Sequence, residues 1–200
     1  MSKQFIVAIG REFGSGGKHI GRTIAKSLGV NLYDRNIVEK VAAEMEVDAD
    51  HLKKYEDKRR RPLFHRSVAG HTTALEDHVA ELQFGYIKRL AESGESFVIV
   101  GRCAEDVLKG RDGLISVFIT GDREYRINRV MKQFSLGRAA AIEKMDRHDR
   151  TRKAYHNHYS SGKWGDAKNY DLVISSTHLG TEGTAEFIAD YIERRIKAAE

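Results

Sequence analysis

The chain of 200 residues is 40% hydrophobic and 32% charged, with a formal net charge of +5. This length suits one domain with a sizeable core, and no apolar run approaches the roughly 18 residues that cross a bilayer. The single cysteine, Cys103, excludes an internal disulfide and a thiolate metal site. We therefore expect a cytoplasmic protein without a membrane partner, and the basic balance indicates an anionic ligand.

Strand-like and helix-like segments alternate along the sequence. Short apolar runs predict strands at residues 4–9, 30–33, 97–100, 115–119 and 171–174. Helical patterns lie between and after them, at residues 18–28, 35–46, 49–58, 72–93, 123–133, 136–157 and 181–198. Because strands that alternate with helices form parallel sheets, the sequence predicts a three-layer α/β/α fold around a central, mostly parallel five-stranded sheet.

A glycine-rich segment joins the first predicted strand to the first predicted helix. Glycines let consecutive backbone N–H groups converge on one anion, and the helix N-terminus adds partial positive charge. A lysine at the helix start would add a full charge for the outer phosphates. We therefore predict a phosphate-binding loop rather than a plain connecting turn. Its residues are Arg11, Gly14, Ser15, Gly16, Gly17, Lys18 and His19.

The loop does not match the standard pattern G-x-x-x-x-G-K-[ST] in either possible register. If Lys18 is the lysine of the pattern, Glu12 replaces its first glycine and His19 replaces its hydroxyl residue. If Gly16 is the second glycine, Arg11 stands first and Gly17 takes the place of the lysine. The usual magnesium-binding hydroxyl is therefore not predicted. His19 is open to three interpretations: a solvent-facing residue, a phosphate hydrogen-bond donor or a metal ligand.

Charged residues follow the predicted strands at the sheet edge where doubly wound folds bind ligands. Asp34 and Arg35 follow the second strand, Arg102 the third and Arg123 the fourth. Arginine offers a planar fork of donors for phosphate, so we interpret Arg102 as ligand-binding rather than as half of a surface ion pair. Asp34 either orients a sugar hydroxyl or a metal-bound water, or caps the following helix.

A charged segment at residues 146–152 allows two interpretations. On a helix, Asp146 can pair with Arg150, and Asp149 with Lys153, which describes an exposed, salt-bridged surface. The functional alternative is a lid whose arginines cover the reacting phosphates and exclude water. Together with the phosphate loop, the lid is the favoured interpretation. Its arginines are Arg147, Arg150 and Arg152.

The densest basic cluster lies at residues 58–61. A nucleic-acid patch is one interpretation, but no alternation of aromatic and basic residues extends beyond the cluster. A solvated loop or a segment that closes over substrate is favoured, and we do not expect a nucleic-acid partner.

These motifs together resemble the cytidylate kinase-like family, relatives of bacterial cytidylate kinases among the P-loop nucleoside-monophosphate kinases. The similarity covers nearly the whole chain, and it is carried by residues 11–17, 32–35, 100–102, 149–152 and 170–177. It implies one P-loop kinase domain over residues 1–200. Within that domain it implies a helical acceptor-binding region at 34–95 and a lid at 135–160.

The resemblance implies ATP-dependent phosphoryl transfer to a nucleoside monophosphate, with CMP or dCMP as acceptor and Mg²⁺ entering with ATP. It assigns Lys18 and the lid arginines to catalysis, and Asp34, Arg35 and Arg102 to the acceptor. Alternatives are a kinase for a different small acceptor and a nucleotide-binding regulator without turnover.

The chain departs from the family pattern at three positions. Gly17 stands where the catalytic lysine is expected, Cys103 replaces an aspartate in the acceptor segment, and Arg35 replaces a serine. We therefore expect this chain to share the family's phosphate loop and lid, whereas the resemblance does not imply cytosine specificity.

Overall fold

Five parallel strands form the central sheet, as the sequence pattern predicts. The structure, a computed structural model, describes residues 4–34, 36–44, 48–50 and 75–198. The strands are β1 (Ile6–Arg11), β2 (Asn31–Tyr33), β3 (Phe97–Val100), β4 (Leu114–Thr120) and β5 (Leu172–Ser175). Their order across the sheet is β2-β3-β1-β4-β5, and all neighbouring strands are parallel.

Helices connect the strands at close to the predicted positions. They are α1 (Gly17–Ser27), α2 (Asn36–Glu44), α3 (Leu75–Glu92), α4 (Ala104–Val107), α5 (Arg123–Phe134), α6 (Arg138–Tyr159) and α7 (Gly180–Lys197). The short helix α4 was not predicted, because four residues are too few to show helical periodicity. Most of the predicted helix at 49–58 and the basic cluster at 58–61 lie outside the described residues.

Two apolar layers pack on opposite faces of the sheet. Successive side chains of a strand point to opposite faces, so Val7 and Ile9 of β1 pack with α1 and α7, while Ile6 and Ala8 pack with α2, α3 and α4. All four side chains are fully buried. The three larger ones, Ile6, Val7 and Ile9, each contribute roughly 1.5–3 kcal/mol. The sheet core therefore supplies the rigid frame that holds the loops at its edge.

The parallel arrangement brings the carboxyl ends of all five strands to one edge of the sheet. The segments that follow the strands lie at that edge: the phosphate loop after β1, Asp34 after β2, residues 101–103 after β3, Gly121 after β4 and Ser176 after β5.

Among the described helices, none is long and apolar enough to cross a membrane.

Candidate active site

A cleft of about 870 Å³ opens beside the phosphate loop at this edge. Residues from the loop, α1, α5, α6 and the start of α7 line the cleft, together with Asp34 and Val100. Its described lining contains seven lysine and arginine side chains: Arg11, Lys18, Arg22, Arg129, Lys132, Lys144 and Arg152. Three carboxylates also line it: Glu12, Asp34 and Glu182. Because each of these carboxylates contacts a basic partner, the cleft offers an excess of positive charge to an anionic ligand.

The backbone of the phosphate loop is held in a conformation that requires glycine. Gly14 and Gly16 have φ angles of 84° and 86°, in the left-handed region that side chains disfavour. A Cβ on Gly14 would lie 2.9 Å from the Arg126 carbonyl oxygen, and one on Gly16 would overlap Thr181. The loop therefore packs closely against α5 and α7, and Gly16 directly precedes the first residue of α1.

Ser15 stabilises the loop from inside rather than reaching into the cleft. Its side chain is fully buried and its hydroxyl donates to the Glu12 carbonyl oxygen at 2.9 Å. The Ser15 carbonyl oxygen in turn accepts from the Ser176 hydroxyl at 2.7 Å. Ser15 can thus serve a ligand only through its backbone N–H. Ser176, in the turn after β5, is a loop-positioning residue that local sequence reasoning did not identify.

A largely buried ion network ties the loop to α5 and α6. Asp149 accepts from the Phe13 backbone N–H at 2.7 Å and from the Arg126 guanidinium at 2.6 Å. The same guanidinium donates to the carbonyl oxygens of Gly121 and Phe13 at 2.9 and 3.2 Å, and lies 3.5 Å from a Glu12 oxygen. Glu12 also accepts from Thr120 and from the Gly121 N–H. The loop, the β4 turn and α6 are consequently held as one unit.

The predicted ion pairs within α6 are replaced by pairs with α5. Asp149 bonds to Arg126, and Asp146 accepts from both terminal nitrogens of Arg123 at 3.0 Å. Arg123, which follows β4 at the predicted ligand edge, therefore pairs with α6 and is absent from the described lining of the cleft. Two-pronged arginine–carboxylate contacts between packed helices are stronger than single-helix pairs of lysine or arginine on an exposed face.

Lys18 and Asp34 form an ion pair across the mouth of the cleft. The Lys18 ammonium lies 2.7 Å from an Asp34 oxygen, with side-chain exposures of 58% and 16%. Burial by itself raises the pKa of Asp34, but hydrogen bonds from Lys18 and the Asn36 backbone lower it overall. Asp34 thus also bonds to the first residue of α2, in agreement with the capping interpretation. Arg35 lies outside the described residues.

His19 contacts a carboxylate on α7. Its Nε2 atom lies 2.9 Å from Glu182 Oε1, and both side chains are exposed. Glu182 also accepts from the Thr181 hydroxyl, and these contacts lower its pKa. His19 and Glu182 both line the cleft at the end nearest α7. This placement is compatible with His19 as a phosphate hydrogen-bond donor.

The segment after β3 forms an unusual left-handed turn. Gly101, Arg102 and Cys103 have φ angles of 87°, 63° and 51°. Each left-handed residue with a side chain costs about 1–2 kcal/mol, so the fold must stabilise this turn elsewhere. Arg102 is only 6% exposed and lines a small cavity with Arg11 and Arg152. The strained turn places Arg102 at the carboxyl edge of the sheet, in the wall of this small cavity and outside the described lining of the main cleft.

Only one of the three predicted lid arginines lies on the cleft side of α6. Arg152 lines the cleft, and its guanidinium lies 5.3 Å from the ring centre of Phe13 in the phosphate loop. Arg147 and Arg150 are exposed and are absent from the described cleft lining. Residues spaced by four on a helix share a face. Lys144 and His148 therefore accompany Arg152, with His148 stacked on Phe13 at 4.3 Å.

Sequence reasoning missed several basic residues of the cleft. Five were not predicted: Arg22, Arg129, Lys132, Lys144 and His148. The available signal was helical spacing, since His148 and Lys144 lie four and eight residues before Arg152. Without the orientation of α6, this spacing does not tell which face meets the loop.

The described residues do not form a dedicated magnesium site. No group of three His, Cys, Asp or Glu side chains among them could hold a metal ion. Lys18, the residue after Gly17, carries no hydroxyl, and neither does His19. Magnesium commonly keeps several waters and binds through substrate phosphates. These residues would therefore fit magnesium only as an ion held mainly by water and phosphate oxygens.

Comparisons with known proteins agree with this architecture. The profile of the cytidylate kinase-like family matches residues 6–178. A crystal structure of an uncharacterized protein from Eubacterium ventriosum is 34% identical, with a TM-score of 0.75, and the match covers 95% of this chain and 99% of that one. The comparison with curated proteins gave no match.

More distant solved structures share the fold. A shikimate kinase from Bacteroides thetaiotaomicron is 11% identical, with a TM-score of 0.55 over 94% of this chain and 98% of that one. A gluconokinase from Sinorhizobium meliloti is 11% identical, with a TM-score of 0.53 over 99% and 96%. At these identities the similarity concerns the fold alone.

We predict that Arg126→Ala lowers the free energy of unfolding by about 3 kcal/mol, because it leaves Asp149 partly buried without its cation. Urea denaturation measures the change. The matched control is Arg123→Ala, which removes the exposed pair with Asp146 between the same two helices and should change stability much less. Equal losses in the two variants would contradict the assigned role of the buried network.

Proposed function

This chain belongs to the cytidylate kinase-like family, and on that basis we propose that it transfers the γ-phosphoryl group of ATP to a nucleoside monophosphate. CMP and dCMP are the leading acceptors. The main support is the position of the glycine-rich loop, which opens α1 and borders a cleft lined by an excess of cations. Such a site can position two phosphorylated ligands and neutralise their charge, which is most of what phosphoryl transfer requires.

The donor half of the site is the phosphate loop. Backbone N–H groups from Gly14 to Lys18 and the N-terminal end of α1 would bind the β-phosphate. Lys18 and His19 line the same cleft and would contact the outer phosphates. Magnesium would enter bound to ATP.

The acceptor half would use Arg102 together with Asp34 and Arg35. Arg102 is buried at the end of β3, close to the loop that follows β1. A guanidinium in that position would bind the acceptor phosphate through two hydrogen bonds. Asp34 at the end of β2 would orient the sugar of the acceptor.

Helix α6 would complete the site through Arg152. Arg152 already contacts the loop, since it donates to the Arg11 carbonyl oxygen at 3.4 Å. In the transition state, charge spreads over the oxygens of the transferred group, and a nearby guanidinium stabilises it. Arg152 is therefore the lid arginine best placed to act. Arg147 and Arg150 would need a rotation of α6, or a different lid position, to reach the phosphates.

A second candidate is a kinase whose acceptor is a hydroxyl group of a small metabolite. One observation favours it: Asp34 is a mostly buried carboxylate with a lowered pKa, and it lines the cleft on the acceptor side. A carboxylate that stays ionised can hold and orient the attacking hydroxyl. The replacement of the family aspartate by Cys103 removes a partner for cytosine and fits this alternative as well.

We predict that the purified protein converts ATP to ADP only when an acceptor is present. The measurement is a coupled ADP assay with Mg²⁺ and, in turn, CMP, dCMP, UMP, AMP, GMP or no acceptor. Turnover with CMP or dCMP alone would support the leading proposal. ATP binding without turnover on any monophosphate would contradict it and would favour a hydroxyl acceptor or a regulator without turnover.

Arg102→Ala should weaken the acceptor half of the site. We expect kcat/KM for the nucleoside monophosphate to fall about 100-fold, because a charge-assisted contact to phosphate is lost. ATP affinity should stay within about two-fold of wild type, since the donor binds at the loop. Arg102→Lys, which keeps the charge but not the fork, should recover part of the loss. Unchanged acceptor kinetics in Arg102→Ala would remove this residue from the site.

Arg152→Ala should reduce kcat about 100-fold with little change in stability, because its guanidinium is the one of the three predicted lid arginines that lies against the loop. The matched control is Lys153→Ala, which removes an exposed cation from the neighbouring position. Arg147→Ala and Arg150→Ala, measured beside it, test the wider lid prediction from sequence. A larger loss in either of them than in Arg152→Ala would show that α6 closes through a different face.

A further inference from the structure

The start of α1 determines the register of the phosphate loop. In the pattern G-x-x-x-x-G-K-[ST], the lysine directly follows the last loop glycine and begins the helix. Here Gly16 is the left-handed residue that precedes the helix, and Gly17 is the first residue of α1. The lysine position of the pattern is therefore Gly17, and the position of its first glycine is Arg11. The pattern has a glycine at the first position of the loop and a lysine after its last glycine, whereas this chain has Arg11 at the first position and Gly17 at the lysine position.

The side chain of Arg11 fills the space next to Gly17. A Cβ built on Gly17 would lie 2.6 Å from Arg11 Cβ and 2.8 Å from Arg11 Cγ. Any side chain at position 17 would thus collide with the stem of Arg11, and real Cβ atoms do not approach so closely. Arg11 occupies the volume that the first atoms of a lysine at position 17 would need.

A second glycine makes room for the guanidinium of Arg11. A Cβ on Gly101 would overlap the Nη1 atom of Arg11, so this arginine extends from the phosphate loop to the turn after β3. Arg11 also lines both the main cleft and the small cavity beside Arg102. Its guanidinium therefore lies between the donor loop and the acceptor segment.

We propose that Arg11 replaces the lysine of the phosphate loop and binds the outer phosphates of ATP from the opposite end of the loop. This inference rests on the proposed use of ATP and does not depend on which acceptor is used. A guanidinium suits the role because it stays charged at all relevant pH values and bonds two phosphate oxygens at once. Under this inference Arg11 takes the contact with the outer phosphates that the reaction would otherwise assign to Lys18. Lys18, which pairs with Asp34 at 2.7 Å, then belongs to the acceptor side of the cleft.

Substitutions at positions 11 and 17 can restore the glycine and the lysine of the standard pattern in this protein. The four proteins of a double-mutant cycle are wild type, Arg11→Gly, Gly17→Lys and the double variant, which has a glycine and a lysine at the standard positions. Two quantities are measured: the affinity for a fluorescent ATP analogue without acceptor, and the rate of ADP formation with the best acceptor. Thermal unfolding of each variant checks that it is folded.

We expect Arg11→Gly to lose about ten-fold or more in nucleotide affinity and about 100-fold in turnover, because a charge-assisted contact is removed. Gly17→Lys should also be impaired, since its side chain collides with Arg11. The double variant should recover both quantities relative to each single variant. Lys26→Ala, at the exposed end of α1, removes the same charge and should match wild type.

Arg11→Gln and Lys18→Ala keep the test decisive if the variants at position 17 do not fold. Arg11→Gln retains most of the stem and removes the charge, so it should lose more nucleotide affinity than Lys18→Ala. Wild-type affinity in folded Arg11→Gln, an equal or larger loss in Lys18→Ala, or a double variant no better than Gly17→Lys would overturn the inference.

The binding assay separates this inference from the proposed reaction. A wild-type protein that binds the ATP analogue through Arg11 but phosphorylates no nucleoside monophosphate would support the inference and overturn the proposed acceptor. A wild-type protein without affinity for the nucleotide would overturn both.

Discussion

The guanidinium of Arg126 is the contact on which the candidate site depends. It bonds Asp149 of α6 and the carbonyl oxygens of Gly121 and Phe13, and lies close to Glu12. Three segments far apart in sequence therefore share one nearly buried cation. Breaking such a network leaves carboxylates in a medium that disfavours unpaired charge. The shape of the phosphate loop and the position of α6 are thus coupled through a single side chain.

Ion pairs within the protein also determine which charged groups of the cleft are available to a ligand. Glu12, Asp34 and Glu182 each contact a basic or hydrogen-bonding partner of the protein, so the acidic groups of the cleft are largely neutralised in place. The remaining lining is rich in lysine and arginine. A polyphosphate ligand would replace solvent around those cations. Orientation by backbone N–H groups and cancellation of charge are the two contributions that phosphoryl transfer demands most.

The three-dimensional structure relates the two departures of the phosphate loop from the standard pattern to each other. In sequence, Arg11 and Gly17 each break the standard phosphate-loop pattern. In the structure, the stem of Arg11 lies where a side chain at position 17 would begin, and Gly101 leaves space for its guanidinium. If Arg11 takes the role of the loop lysine, as we propose, the two departures from the motif are one change in the position of a positive charge. Lys18, the apparent loop lysine, is instead paired with Asp34 across the cleft.

The sequence by itself determined the alternation of strands and helices, the parallel sheet and the location of the phosphate loop, because hydrophobic periodicity and glycine are local signals. Only the tertiary structure decided the partners: Asp149 bonds Arg126 rather than Lys153, and Arg152 rather than Arg150 lines the cleft. Those outcomes depend on which face of α6 packs against α5 and the loop. That choice is made by contacts between segments distant in the chain, which local spacing does not encode.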